Sequence, residues 1–326
     1  MTPAIPLVLL TGFLGSGKTT LLNRLLAQPD MADTLVIINE YGAASLDHLL
    51  VAHSAEQQVI ELASGCVCCT LRSDLAQTLR DAPWRFARGG RRQFERVIIE
   101  TTGLADPAPV LRTLMQDGRL AARYAHATTL TTVDATHARG QLDAHPEVLR
   151  QITGADRLLV SKSDLATPAD VAGLRDTLAR LNPFAPHTDL RDDVRATELF
   201  APAAPGVVRY RPVAPSTADA GHGVRADRFV LDAPVSAARL SGWLSAWPSI
   251  AGPALLRMKA LIDVADMPPA VLHGVQHTLY PEQRLAAWPG DGDGTNRRST
   301  LVFITQGMAV ETLRAHVARL GAIHSD

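Results

Sequence analysis

The sequence predicts an α/β protein, a P-loop NTPase domain with a mostly parallel sheet followed by a smaller α+β domain. Three observations carry this. Short apolar runs alternate with helical patterns through the first half, a glycine-rich segment follows the first run, and a Pro/Ala-rich stretch interrupts the pattern near residue 200. The apolar runs are residues 7–10, 35–38, 97–99, 130–133 and 158–160, and helices between them imply parallel strands. They end in Thr11, Asn39, Glu100, Asp134 and Ser161, which places those residues at the carboxyl edge, where open α/β sheets bind ligands.

From 200 to 223, Pro202, Pro205, Pro212 and Pro215 sit among Ala, Ser and Gly, a semi-extended linker. The expected organisation is a P-loop domain over 1–200, a linker over 201–224 and an α+β domain over 225–326. The last region reads as a strand at 228–231, an amphipathic helix over 236–247, strands near 255–264, 271–277 and 301–305, and a helix over 310–320. Residues 290–298 read as a hairpin connection.

A chain of 326 residues exceeds one small domain, at roughly 100–200 residues each. Hydrophobic residues at 46% and charged residues at 20% are the composition of a folded protein. Lys plus Arg total 32 against 33 Asp plus Glu, so a net charge of −1 supplies no global field for nucleic acid or an anionic membrane. Phosphate binding must therefore be local. No apolar run reaches the ~18 residues of a spanning helix, and no basic segment precedes an apolar stretch at the start, so the chain reads as cytoplasmic. Cys66, Cys68 and Cys69 are too crowded for a framework of structural disulfides and read as reduced thiols.

Gly12-Phe-Leu-Gly-Ser-Gly17-Lys18-Thr19 has the Gly-x4-Gly-Lys-Ser/Thr pattern between a strand and a helix. The expected phosphate cradle is Gly12, Gly15, Ser16, Gly17, Lys18, Thr19 and Thr20. Glycines let backbone N–H groups turn onto the α and β phosphates, Lys18 reaches the β and γ phosphates, and Thr19 offers a hydroxyl to Mg²⁺. Arg96-Val-Ile-Ile-Glu100-Thr-Thr-Gly103 supplies an acid directly after a buried strand. Glu100 is the candidate for Mg²⁺ or the attacking water, with Lys18 and Gly103 beside it in the catalytic set, and the Gly103 amide is expected to sense the γ-phosphate. Asp47 is a second Mg²⁺ candidate.

Ser161-Lys162-Ser163-Asp164 has the Lys-x-Asp spacing that reads guanine. A carboxylate at Asp164 accepts from N1–H and N2–H₂ while the Lys162 stem covers the base; leaving that carboxylate unpaired against adenine costs about 1–3 kcal/mol. Ser161 stands where such loops usually carry asparagine, which removes one base or loop-bracing contact from the expectation. Cys66, Cys68 and Cys69 pack three soft ligands into one turn between the second and third sheet strands, suited to Zn²⁺, Co²⁺ or Cu(I), and an incomplete ligand set suits metal transfer.

Gly12 to Thr20, Asn39-Glu40-Tyr41-Gly42, Gly65-Cys66-Val67-Cys68-Cys69, Glu100-Thr-Thr-Gly-Leu-Ala-Asp-Pro107 and Ser161-Lys-Ser-Asp164 together resemble the CobW family of P-loop GTPases, which are metal chaperones or insertases. Leu256-Arg-Met-Lys259 and His273-Gly-Val-Gln-His277 resemble its carboxyl-terminal domain. The resemblance implies GTP hydrolysis coupled to delivery of zinc, cobalt or a related divalent ion to a client metalloprotein, and leaves a homodimer formed only with nucleotide bound as one oligomeric option. The chain departs from the family at Ala43, where members often carry a glutamate able to assist metal binding. It departs again near the linker, where His222 stands in place of a His-rich stretch.

His273 and His277 are expected on one strand face, as core or hydrogen-bonded histidines before metal ligands. Arg80, Arg85, Arg88, Arg91, Arg92 and Arg96, with Trp84 and Phe86 between them, read first as a solvated helix end and loop, and second as a dock for an acidic client. The alternative function is a P-loop ATPase or small-molecule kinase with a redox-sensing thiol cluster.

Overall fold

The computed structural model describes residues 4–40, 58–63, 70–200, 222–289 and 297–324. In chain order these form β1 (Ile5–Gly12), α1 (Lys18–Leu26), β2 (Thr34–Glu40), β3 (Gln58–Ala63), α2 (Thr70–Arg85), β4 (Ala87–Arg88), β5 (Arg91–Arg92), β6 (Arg96–Glu100), α3 (Pro107–Gln116), α4 (Gly118–Ala121), β7 (Tyr124–Asp134), α5 (Ala138–Ala144), α6 (Pro146–Gly154), β8 (Arg157–Ser161), α7 (Pro168–Leu181), β9 (His187–Asp189) and α8 (Ala196–Phe200). There follow β10 (Val224–Leu231), α9 (Ala237–Ser245), β11 (Leu255–Ile262), β12 (Ala270–Val275), β13 (Thr278–Leu279), β14 (Gln283–Arg284), β15 (Thr300–Gln306), α10 (Val310–Val317) and β16 (Ile323–His324). Contacts divide the chain into two compact units, Met1–Arg175 with Ala185–Ala203, and Asp176–Phe184 with Ala204–Asp326.

The first unit carries a parallel sheet in the order β3-β2-β6-β1-β7-β8-β9. The five apolar runs are β1, β2, β6, β7 and β8. The two edge strands lie outside those runs: β3 has the mixed sequence Gln-Val-Ile-Glu-Leu-Ala and, among the described residues, pairs with β2 alone, and β9 is three residues long. Register aligns the strand ends. Leu10 faces Glu100, Gly12 faces Thr132, Asp134 faces Ser161 and Val160 faces Asp189. A row of polar residues thus lies along one carboxyl edge, with β1 between β6 and β7, where the connections diverge.

Helix α1 packs on this sheet through Leu21, Leu22, Leu25 and Leu26, a stripe at helical spacing, joined in one core by Val8, Val36 and other strand residues. Asp106 caps α3 by accepting from the Ala108 amide, with Pro107 at the first helical position. That cap ends the loop after β6.

In the second unit an antiparallel sheet runs β13-β12-β11-β15-β10-β16, with β14 on β12. One face is buried against α9 and α10 in a core that includes Phe229, Trp243, Trp247, Phe303, Leu313 and Val317. Strand β10 already starts at Val224, inside the expected linker, and the expected helix over 236–247 is shorter because Ser236 is its cap, accepting from the Arg239 amide. The expectation that His273 and His277 share a strand face is corrected. His273 is on β12, but Gln276 takes φ 49° and turns the chain into β13, so His277 lies in that turn. Residues 290–296 of the expected hairpin connection lie outside the described residues.

Among the described residues no helix is long and apolar enough to cross a membrane. Phe303 is fully buried and meets Phe229 edge to face at 5.9 Å between ring centroids. Urea unfolding of Phe303→Ala is expected to show a loss of about 3–5 kcal/mol, the usual result of emptying an aromatic site in a packed core.

Candidate functional site

The loop from β1 into α1 is built by three glycines at positive φ, Gly12 at 141°, Gly15 at 71° and Gly17 at 91°. Gly12 is also sterically required. A Cβ there would fall 2.3 Å from Thr132 Oγ1 and 2.5 Å from the Thr132 carbonyl oxygen, so only glycine lets β1 leave the sheet this close to β7. The Ser16 and Thr132 hydroxyls lie 2.6 Å apart in a buried hydrogen bond, which fixes the crest of the loop to β7.

Lys18 is buried at 7% exposure and donates from Nζ to the carbonyls of Gly12 (3.0 Å) and Phe13 (3.1 Å). Thr19 Oγ1 donates to Glu100 Oε1 at 2.7 Å, and Glu100 is 2% exposed. The start of α1 is therefore tied to the end of β6. Thr20 points to solvent.

The loop after β6 is tied to the same place. Thr101 donates from its amide to Leu10 O and from its hydroxyl to Thr11 Oγ1, each at 2.9 Å. A Cβ on Gly103 would fall 2.5 Å from Leu14 Cδ2 and 2.6 Å from Leu14 N, so this glycine is what allows the two loops to touch. Gln151 on α6, 1% exposed, donates from Nε2 to the carbonyls of Gly103 and Ala105, both at 3.0 Å. Nothing in the local sequence marks Gln151 for that position; only folding brings it there.

The loop after β8 is pinned at three successive residues. Ser161 Oγ donates to the Ser16 carbonyl at 2.8 Å, so the residue standing in the asparagine position still braces the phosphate loop. A loop-bracing contact is therefore present at this position, made by a side chain shorter than asparagine. Lys162 takes φ 55° and donates from Nζ to Asp134 Oδ2 at 2.8 Å. Ser163 Oγ donates to Asp189 Oδ1 at 2.6 Å. Asp164, next in line, is exposed.

Both anchoring carboxylates are buried yet charged. Burial alone would raise the Asp134 carboxyl, but hydrogen bonds from Lys162, Thr136 and His137 overcome it and hold the pKa at about 2. The same opposition at Asp189, burial against hydrogen bonds from Arg191 and Ser163, also leaves it at about 2. Asp134 is legible in the sequence only as a strand end, and Asp189 not at all. Cys66, Cys68, Cys69 and Asp47 lie outside the described residues. Among the described residues no three His, Cys, Asp or Glu side chains gather into a metal-sized cluster.

Residues 6–189 match the family described as the CobW/HypB/UreG nucleotide-binding domain, and residues 224–320 match the cobalamin synthesis protein cobW C-terminal domain. The chain belongs to the CobW family. It is 34% identical over 322 residues to the zinc chaperone YjiA of Escherichia coli K12, covering 97% of this chain and 98% of that one. The crystal structure of the Zn(II)-bound YjiA GTPase from E. coli superimposes with a TM-score of 0.73 at 28% identity, over 98% of this chain and all of that chain. The zinc chaperone CobW of Pseudomonas aeruginosa is 33% identical over 170 residues, 49% of this chain and 44% of that protein. The P-loop NTPase fold with a second, antiparallel domain is thus that of a CobW-family GTPase.

In this CobW-family chain the Asp134 carboxyl has a folded pKa below its ordinary value of 3.8, so it contributes stability that is present above about pH 4 and is lost as pH falls toward 2. Chemical unfolding measured across that window is expected to show a shallower acid limb for Asp134→Asn than for the unsubstituted protein. The remaining slope should come from Asp189 and other carboxylates.

Proposed function

We propose that this chain binds GTP with Mg²⁺, hydrolyses it, and uses the cycle to deliver a transition metal, zinc foremost, to a client metalloprotein. The observation that carries the reading is the direct hydrogen bonding of three loops at one sheet edge: Thr19 to Glu100, Ser16 to Thr132, and Ser161 to Ser16. A change at one loop is therefore felt by the others. Likeness along nearly the whole chain to one protein named a zinc chaperone, and along about half of it to another, supports zinc as the cargo, with cobalt the second choice on thiolate chemistry.

In this reading Gly12, Gly15, Ser16, Gly17 and Thr20 wrap the phosphates. Lys18 exchanges two neutral carbonyl partners for anionic β and γ oxygens, a gain because charge-assisted hydrogen bonds are about twice as strong as neutral ones. Thr19 and Glu100 are hard oxygen donors already within hydrogen-bonding distance, the donor chemistry Mg²⁺ takes, and would hold it with Asp47. The ion, when bound, supplies neutralisation of phosphate charge. Gly103, pressed on Leu14 and held by Gln151, offers its amide toward the γ-phosphate.

Asp164 reads guanine. Lys162 is held by Asp134 and Ser163 by Asp189, so the loop presents Asp164 without having to order first. In competition experiments GTP is expected to bind at least ~10-fold tighter than ATP, about 1.4 kcal/mol. Asp164→Asn should narrow that gap, and Lys18→Ala should abolish binding of either nucleotide. Equal affinities in the unsubstituted protein overturn the guanine assignment.

Cys66, Cys68 and Cys69 supply soft thiolate ligands for the metal. If GTP selects one arrangement of the thiols, linkage makes the metal raise GTP affinity by the factor by which GTP raises metal affinity, typically ~1–3 kcal/mol. Calorimetry of Zn²⁺ or Co²⁺ into the reduced protein with GTP, with GDP and without nucleotide is expected to show tightest binding with GTP. Cys66→Ser with Cys68→Ser should erase the metal effect while GTP still binds. Identical metal affinity in all three conditions removes the chaperone cycle.

A further inference from the structure

The hairpin after α2 combines two features that oppose stability. Strands β4 and β5 pair antiparallel across Gly89 and Gly90, at φ 58° and 75°, so that Ala87 faces Arg92 and Arg88 faces Arg91. Residues directly opposite share a face, and like charges there are destabilising. Arg92, on the other face, is compensated: it pairs with Glu95 at 3.1 Å and lies over the Phe94 ring at 5.4 Å. Arg88 and Arg91 are exposed, and among the described residues neither makes an ion pair; nor does Arg85 at the end of α2, whose guanidinium lies over Phe86 at 5.7 Å. Immediately before it Trp84 is 68% exposed.

We propose that Trp84, Arg85, Arg88 and Arg91 form the docking surface for an acidic, extended segment of the client protein. This rests on the metal-delivery reading for why a client docks at all. Trp and Arg are the residue types that dominate binding hot spots, and guanidinium groups take carboxylates in paired hydrogen bonds. Carboxylates placed over Arg88 and Arg91 relieve the like-charge contact that the free hairpin carries. A protein partner fits better than a nucleic acid because the neighbouring Arg80 and Arg92 are already paired, with Asp117 at 2.6 Å and Glu95 at 3.1 Å, and the chain as a whole carries a net charge of −1. Helix α2 begins directly after Cys69 in the sequence and ends at Arg85. Its 16 residues span about 24 Å at about 1.5 Å each, so in the sequence this one helix separates the cysteine motif from the docking residues.

The test uses the full chain, reduced, with fluorescence anisotropy of a labelled peptide alternating Glu and Leu. A peptide alternating Lys and Leu and a single-stranded DNA of the same length serve as comparators. The acidic peptide is expected to bind, to weaken with salt, and to lose about tenfold in affinity in each of Arg88→Glu, Arg91→Glu and Trp84→Ala, while GTP affinity stays unchanged. Arg88→Glu carries a signature that a purely structural role would not produce. It converts the like-charge pair into an opposite-charge pair, so the melting temperature rises while peptide binding falls. Failure of the acidic peptide to bind, unchanged affinity in the variants, or DNA binding as tight as the peptide each overturns the proposal. Loss of docking with metal–GTP coupling intact removes the docking surface alone; absent coupling with docking intact removes the delivery cycle alone.

Discussion

The contact between Gly12 and Thr132 is the constraint from which the rest of the site hangs. Strand β1 can deliver its loop against β7 only because no Cβ stands between them, and the Ser16–Thr132 hydrogen bond then fixes the crest of that loop. With the crest fixed, Ser161 finds the Ser16 carbonyl, Thr19 finds Glu100 and Leu14 meets Gly103. A larger residue at position 12 would separate β1 from β7 and release every one of these partners together, since each is measured from the same loop.

Charge is handled in two ways along this edge. Asp134 and Asp189 are buried anions whose burial is opposed, and exceeded, by several hydrogen bonds, so they remain charged and hold the loop after β8 by its side chains. Such an anchored carboxylate is stabilising only while its partners stay in place, because removing one leaves a buried charge poorly satisfied. Lys18, by contrast, donates to two neutral carbonyls, bonds individually weaker than those a cation makes to an anion.

The hairpin at Arg88 and Arg91 follows neither pattern. Among the described residues Arg88 and Arg91 make no ion pair, and Trp84, a few positions earlier in the sequence, is 68% exposed. Folding alone gains nothing from such an arrangement, since like charges across a ladder repel and an exposed indole forgoes its burial. The stability so given up is small and local, confined to two two-residue strands, and leaves the parallel sheet untouched.

The sequence by itself determined what is local. Apolar runs set the five inner strands, the glycine-lysine-threonine segment set the loop between β1 and α1, Ser236 announced a helix start, and the motif residues Glu100, Gly103, Lys162 and Asp164 fell at or just after strand ends, where the apolar runs stop. Edge strands β3 and β9 escaped notice because the first mixes polar with apolar residues and the second is three residues long, and the turn at Gln276 moved His277 off its strand through backbone geometry that alternation cannot encode. Only the tertiary structure decided the partnerships. Asp134 with Lys162, Asp189 with Ser163, Gln151 with Gly103 and Ser161 with Ser16 join residues 28, 26, 48 and 145 positions apart. No local signal can carry such pairings, because parallel register and the crossing helices between strands set them after the chain has folded.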